Sequence, residues 1–264
     1  MLAAERHRKI IEKLERHGAV KVSELSNQFQ VTEKTIREDL EKLEEKGLLK
    51  RTHGGAVLDQ GGEDSILPLQ FPNSRKSQEK SAIAALALSC IADNDIIALD
   101  AGSSTLELAK LLPNAPITVL TNDLLIIREL AMKDQVRLVV PGGYRQNNLL
   151  IGEESLEWIS KLNVHKVFLS TTGIHLEYGL TIFTEKLMKL KQLYIQNAKQ
   201  VYCLADHSKF DKGALITYAE LAAIDTIITD EDIEPEVAAK YEASGVKLML
   251  APLQANGRRH KGRS

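Results

Sequence analysis

Seven short, mainly apolar runs, at residues 96–100, 117–121, 136–141, 167–170, 201–205, 224–229 and 246–250, alternate with longer stretches whose apolar residues recur at helical spacing. Runs of that length suit buried strands, and strands separated by helices build a parallel sheet with both faces covered. The pattern predicts an α/β domain over residues 76–253, with a Rossmann-like, largely parallel sheet. No run approaches the roughly 18 apolar residues of a membrane span. The chain is charged from Glu5 onward, unlike a secretory leader, so a cytoplasmic protein with no membrane partner is expected. The two cysteines, Cys90 and Cys203, each lie in an apolar stretch and read as small core residues. They are too few for a disulfide framework and lack metal-ligand spacing, so neither a metal nor a cofactor is expected.

The first 57 residues follow another rule. Ile10, Ile11 and Leu14 mark one helix, which Gly18 should end. Val20 and Val22 suggest a short strand, after which Ser23 is placed to cap a second helix through Leu25 and Phe29. Thr32 is placed to cap a third, whose apolar positions Ile36, Leu40 and Leu43 fall at i, i+4 and i+7, with Gly47 as its stop. Two short strands around His53-Gly54-Gly55 follow. Three helices and a ribbon are the plan of a winged helix-turn-helix, whose third helix fits the major groove of DNA. Val31, Ile36, Leu40 and Leu43 form the inner face of that helix; Thr32, Glu33, Lys34, Thr35, Arg37 and Glu38 face outward. Thr32, Lys34 and Thr35 suit phosphate contacts, Arg37 suits guanine, and Glu38 suits a cytosine amino group. Lys50, Arg51 and His53 on the ribbon are placed for backbone or minor groove.

Charge is distributed accordingly. Residues 1–57 carry 12 Lys/Arg against 10 Asp/Glu, whereas the chain as a whole has a net charge of −2. Residues 58–75, rich in Gly, Pro, Asn and Ser, read as a linker. Residues 254–264 contain Arg258, Arg259, Lys261 and Arg263 and read as a disordered basic tail.

In the larger domain the informative spot is Asp100-Ala101-Gly102-Ser103-Ser104-Thr105, between a predicted strand and a predicted helix. Ligands of open α/β sheets gather at the carboxyl ends of strands, and a helix N-terminus offers N–H groups and a favourable dipole to an anion. Ser103, Ser104 and Thr105 are then placed to cradle a phosphate, with Asp100 accepting from sugar hydroxyls. The same residues also suit ordinary helix capping. Other strand ends carry related chemistry: Thr121-Asn122, Gly142-Gly143, Thr171-Thr172-Gly173 and Asp206-His207-Ser208-Lys209. Glu185 and Lys189, four apart on a predicted helix, read equally well as an exposed ion pair.

From Arg8 to Val57 the sequence closely resembles the DeoR/GlpR family of bacterial repressors. The likeness is carried by Gly18-Ala19-Val20-Lys21-Val22-Ser23-Glu24-Leu25, Val31-Thr32, Thr35-Ile36-Arg37-Glu38-Asp39-Leu40, Leu43-Glu44, Gly47-Leu48-Leu49 and Arg51-Thr52-His53-Gly54-Gly55-Ala56. Residues 77–251 resemble the effector domain of the same family, which is similar in fold to ribose-5-phosphate isomerases. The resemblance implies a site for a sugar phosphate at Asp100, Gly102, Ser103, Ser104, Thr105, Thr121, Asn122, Gly142, Gly143, Gly173, Glu185, Lys189, Asp206 and Lys209. Departures from the family pattern stand at Glu38, where a second arginine is usual, at His165, at Ile174-His175 and at Ile182-Phe183-Thr184. The last two are expected to shape specificity.

The expected function is that of a repressor of a carbohydrate-use operon. It would act as a homodimer or homotetramer on a double-stranded DNA operator and be controlled by a phosphorylated sugar. Two rivals use the same residues: an aldose–ketose sugar-phosphate isomerase with an accessory domain, and a module whose winged head binds protein. The isomerase would need a carboxylate to shuttle a proton and a cation beside the enediolate, which Asp100, Glu185, Asp206 and Lys209 supply by type.

Overall fold

The computed structural model describes residues 3–17, 19–45, 48–57 and 76–253. Gly18 and Gly47 as helix stops, the linker at 58–75 and the basic tail at 254–264 lie outside the described residues.

The N-terminal unit runs α1 (Ala3–His17), β1 (Ala19–Lys21), α2 (Val22–Phe29), α3 (Glu33–Glu45), β2 (Lys50–Thr52) and β3 (Gly55–Val57). β3 lies between β1 and β2 in an antiparallel ribbon, with Thr52 paired to Gly55 across a two-residue turn. Ile10, Ile11 and Leu14 of α1, Leu25 and Phe29 of α2 and Ile36, Leu40 and Leu43 of α3 close one apolar core with Leu48, Leu49 and Ala56. Val31 is only partly buried beside it. Thr32 caps α3, its Oγ1 accepting from the Thr35 N–H at 3.2 Å. Ser23 does not cap α2. The helix starts one residue earlier, at Val22, whose N–H donates to the Gly54 carbonyl in the ribbon turn at 2.9 Å. Ser23 therefore lies in the first turn, exposed.

The larger unit contains α4 (Ser77–Leu88), β4 (Ile96–Leu99), α5 (Ser103–Leu111), β5 (Thr118–Leu120), α6 (Leu124–Leu130), β6 (Arg137–Val139), β7 (Tyr144–Gln146), β8 (Leu149–Ile151), α7 (Glu153–Ile159) and β9 (Val164–Ser170). It continues with β10 (Gly173–His175), β11 (Gly179–Ile182), α8 (Met188–Asn197), β12 (Ala198–Leu204), β13 (Ile216–Ala219), β14 (Thr226–Asp230), α9 (Pro235–Ala243) and β15 (Leu248–Ala251). The seven apolar runs become a parallel sheet of order β15-β14-β12-β9-β4-β5-β6. Successive strand residues point to opposite faces. Ile97, Leu99 and Val119 accordingly join a core under α4, α5 and α6. Ala98, Leu120, Val167 and Leu169 join another with Leu190 and Tyr194 of α8 and Tyr241 of α9. Cys203 is buried as expected, whereas Cys90 past the end of α4 is only half-buried.

Two features go beyond the periodic pattern. β7 and β8 form a separate hairpin, and β10, β11 and β13 form a small antiparallel sheet. No helix among the described residues is long and apolar enough to cross a membrane.

Candidate functional site

Strand order reverses at β4. From β4 the chain proceeds outward to β5 and β6, then returns to β9 on the other flank and continues to β12, β14 and β15. Connections on either side of that point leave in opposite directions, which opens a crevice at the carboxyl ends of β4 and β9. Asp100 follows β4 and Ser170 ends β9.

Asp100 is fully buried. Its Oδ2 accepts from the Ser170 N–H at 2.9 Å, from Ser170 Oγ at 2.7 Å and from the Lys191 ammonium of α8. Lys191 is 1% exposed, also donates to the Ser170 carbonyl at 2.8 Å, and lies over the Tyr218 ring. A buried charge persists only when paired and hydrogen-bonded, and this pair meets both conditions. Sequence reasoning missed Lys191, although a signal exists: it falls four residues after Leu187 and three before Tyr194, on the apolar stripe of α8. A lysine in such a stripe calls for a buried partner.

The turn after Asp100 is held tightly. A Cβ on Gly102 would lie 2.5 Å from the Ser170 side chain, so only glycine lets the start of α5 approach β9 so closely. The buried Thr105 hydroxyl donates back to the Gly102 carbonyl at 2.9 Å, so it braces the turn and leaves Ser103, half-buried, and Ser104, buried, as the neighbouring hydroxyls. Thr121 is buried and its Oγ1 accepts from the Asp123 N–H at 3.2 Å. Asn122 donates through Nδ2 to the Leu150 carbonyl at 3.1 Å, which ties the β7–β8 hairpin to the end of β5. Asp123 caps α6 by accepting from Leu125 and Ile126 N–H. Burial, opposed by those two hydrogen bonds and aided by the charge of Asp100, pushes its carboxyl up to about 6.

Beyond β12, burial pushes the Asp206 carboxyl up, but the charge of Lys209, two hydrogen bonds from Ser208 and the charge of Lys80 outweigh it and hold it below the ordinary value. Lys209 and Lys80 are both buried. His207 Nδ1 lies 2.6 Å from Asp230 Oδ1, and its Nε2 lies 2.9 Å from Lys76 Nζ. Glu79, His207 and Asp232 present ligand atoms within 4.8 Å of one another, the one donor group of metal-binding type among the described residues. Lys76 also pairs with Glu79 at 3.1 Å, so an ammonium already serves two of the three.

Other expected site residues fall elsewhere. Gly142 and Gly143 start the connection into the hairpin with φ of +81° and +109°, a backbone that glycine tolerates. Gly173 opens β10, buried, and a side chain there would collide with the Lys212 carbonyl. Glu185 and Lys189 do not share a regular helix. Glu185 starts a 3-10 turn (Glu185–Leu187), Lys189 belongs to α8, and both are exposed. His165 sits at the start of β9, beside Asp95 at the amino end of β4, the opposite end of that strand from Asp100. Phe183, after β11, packs against the apolar core of the N-terminal unit.

On that unit, Thr32, Lys34, Arg37 and Glu38 are exposed and Thr35 is half-buried. Arg37 pairs with Glu33 at 2.6 Å on the solvent face. Arg51 and His53 are exposed on the ribbon, with the Arg51 N–H anchored on Glu44 Oε1 at 2.8 Å. Asp39, in the middle of α3, is buried and accepts from Arg6 Nε at 2.7 Å with His7 Nε2 at 2.9 Å, an anchor between α1 and α3 that the apolar pattern conceals.

Residues 6–61 match the DeoR-like helix-turn-helix domain family, and residues 75–231 match the DeoR C-terminal sensor domain family. The chain is 36% identical over 264 residues to the uncharacterized HTH-type transcriptional regulator YulB of Bacillus subtilis, covering 97% of this chain and 100% of that one. It is 34% identical over 252 residues to the HTH-type transcriptional repressor GlcR of the same organism, covering 95% and 97%. Among solved structures, ribose 5-phosphate isomerase A of Methanocaldococcus jannaschii matches 52% of this chain and 56% of its own at 15% identity, with a TM-score of 0.39.

Proposed function

The chain belongs to the DeoR family of DNA-binding transcriptional regulators, and we propose that it is the repressor of a carbohydrate-use operon, released from its operator when a phosphorylated sugar occupies the crevice between β4 and β9. The observation that carries this reading is the turn from Asp100 to Thr105, set at the point where strand order reverses and opening α5. Backbone N–H groups of Ser103 and Ser104 and the helix dipole suit the phosphate, and Lys209 and Lys80 lie on the β12 side. Asp100, Thr121 and Asn122 line the β5 side, where sugar hydroxyls belong.

Thr32, Lys34 and Thr35 at the start of α3 are assigned to DNA phosphates. Arg37 and Glu38 are assigned to base edges, and Arg51 and His53 to the groove beside the ribbon. Repressors of this plan read paired half-sites, so a homodimer or homotetramer in the cytoplasm completes the proposal. The isomerase reading is set aside: the relatives are named as transcriptional regulators, and the buried Asp100 is locked by Lys191 and Ser170 rather than free to carry a proton between carbons.

Fluorescence anisotropy with a duplex from the region upstream of the protein's own operon tests the reading. A panel of pentose, hexose and amino-sugar phosphates should contain a compound that weakens binding about tenfold or more, a coupling of about 1.4 kcal/mol. DNA affinity indifferent to every compound would refute control by a sugar phosphate.

A further inference from the structure

Among the described residues, five buried side-chain polar atoms have no hydrogen-bond partner, and three of them are acceptor oxygens gathered beside β5: Asp100 Oδ1, Asn122 Oδ1 and Asn148 Oδ1. The register explains why they meet. β4 pairs with β5 so that Ala98 faces Leu120, which brings Asp100 opposite Asn122 two residues on. The hairpin adds Asn148, since the Leu124 N–H donates to its carbonyl at 2.7 Å and the Leu150 N–H donates to the Asn122 carbonyl at 2.9 Å. The Asn122 amide is oriented by its own bond: Nδ2 is used on Leu150, so the oxygen is the atom left over.

Among the described residues, no donor lies within hydrogen-bonding distance of these three oxygens. The Lys191 ammonium is taken up by Asp100 Oδ2 and the Ser170 carbonyl, with Ser170 Oγ at 3.5 Å. Lys80 and Lys209 act on Asp206, beyond β9. Burying an acceptor without a donor is unfavourable, and Asp123 adds a second carboxyl to the same corner. The crevice is thus polarised, with helix N–H groups and cations toward α5 and β12 and bare acceptors toward β5.

Resting on the reading of this crevice as a sugar-phosphate site, we propose that the corner formed by Asp100, Asn122 and Asn148 receives the hydroxyl or ammonium groups of the ligand, so that the protein selects phosphorylated sugars and polyols and rejects phosphorylated sugar acids. A hydroxyl satisfies an orphan oxygen; a carboxylate brings only acceptors and a charge of the same sign as Asp100.

Matched pairs that differ at one carbon test the selection on the full chain by calorimetric titration. They are glycerol 3-phosphate with 3-phosphoglycerate, ribitol 5-phosphate with 5-phosphoribonate, and glucitol 6-phosphate with 6-phosphogluconate, with inorganic phosphate as baseline. In each pair that binds more tightly than phosphate, the hydroxymethyl member should bind about tenfold or more tightly than the acid. Asn148→Lys, which puts a cation in the corner, should shift that ratio toward the acid about tenfold. Equal or tighter binding of the acids by the unmodified chain, or a ratio unmoved by Asn148→Lys, overturns the selection while leaving the sugar-phosphate site standing. Failure of every ester and of inorganic phosphate to bind removes both.

Discussion

The two halves of the molecule relate function to stability in opposite ways. On the N-terminal unit the proposed reading residues, Thr32, Lys34, Arg37, Glu38, Arg51 and His53, are all exposed, while Ile36, Leu40 and Leu43 on the far side of α3 hold the fold. In the sensor the proposed ligand residues Asp100, Ser104, Thr105, Thr121, Asn122, Asp206 and Lys209 are themselves buried. A DNA groove is an external surface that a helix can meet without opening its own core. A small anion with hydroxyls must be enclosed to be recognised, so its receptors are also parts of the interior. Reading residues should therefore be replaceable at no cost to the fold, and sensor residues should not.

The largest effect should come from Lys191→Met. It leaves the Asp100 carboxylate buried without its cation, and removing one member of a buried pair costs about 3–5 kcal/mol. Urea denaturation should show that loss, and the double variant Lys191→Met, Asp100→Asn should recover most of it. A single variant within about 0.5 kcal/mol of the parent would break the contrast, because the site would then be dispensable to the fold. Asp39→Ala probes the other half. It leaves Arg6 and His7 facing each other without their shared carboxylate, and should cost about 2–4 kcal/mol in the N-terminal unit. The contrast sharpens if Asp39, which lies on the reading helix but faces inward, behaves in this way as a sensor residue does.

How far each half is legible from sequence follows the same division. Ile36, Leu40 and Leu43 announce α3 because the period of a helix is local, and the seven strands announce themselves because each apolar run is contiguous. The strand-end turn at Asp100 is visible for the same reason. Lys191 is not, since its partner lies 91 residues away and nothing near it in sequence names that partner. The single helix expected to carry Glu185 and Lys189 is interrupted: a four-residue spacing predicts a shared face only on a continuous helix, and the chain takes a 3-10 turn between them. The hairpin and the small antiparallel sheet escaped because their strands of three or four residues carry too little periodicity to register.

A smaller effect is expected at Asp123, and it depends on pH. Its folded value of about 6 lies above the 3.8 of an unperturbed carboxyl, so the folded chain binds a proton that the unfolded chain releases. The stabilising contribution is therefore complete below about pH 4 and is lost as pH rises through about 6, amounting to roughly 2–3 kcal/mol. Asp123→Asn keeps an acceptor at the N-cap and removes the ionisation. Between pH 4 and 7 the stability of the variant should gain steadily on that of the parent. Parallel curves would show that Asp123 is solvated, and would place this corner of the sensor nearer in character to the exposed reading face.

The smallest effect on stability, and the most telling for the contrast, belongs to Arg37→Ala. Its one ion pair is exposed, between residues four apart on a helix, and such pairs contribute no more than about 0.5 kcal/mol. Denaturation curves of the variant and the parent should thus coincide within that margin. DNA binding should respond far more strongly, since a guanine contact is worth about 1–3 kcal/mol, and the discrimination between operator and unrelated duplex should narrow rather than both affinities falling together. Lys34→Ala provides the complementary control: a lost phosphate contact weakens both duplexes alike and flattens the dependence of affinity on salt. If Arg37→Ala instead lowered both affinities equally, Arg37 would be holding the backbone, and sequence reading would pass to Glu38 and the first turn of α3. If it destabilised the fold by several kcal/mol, the separation of reading face from core would fail on the half of the molecule where it is drawn most sharply.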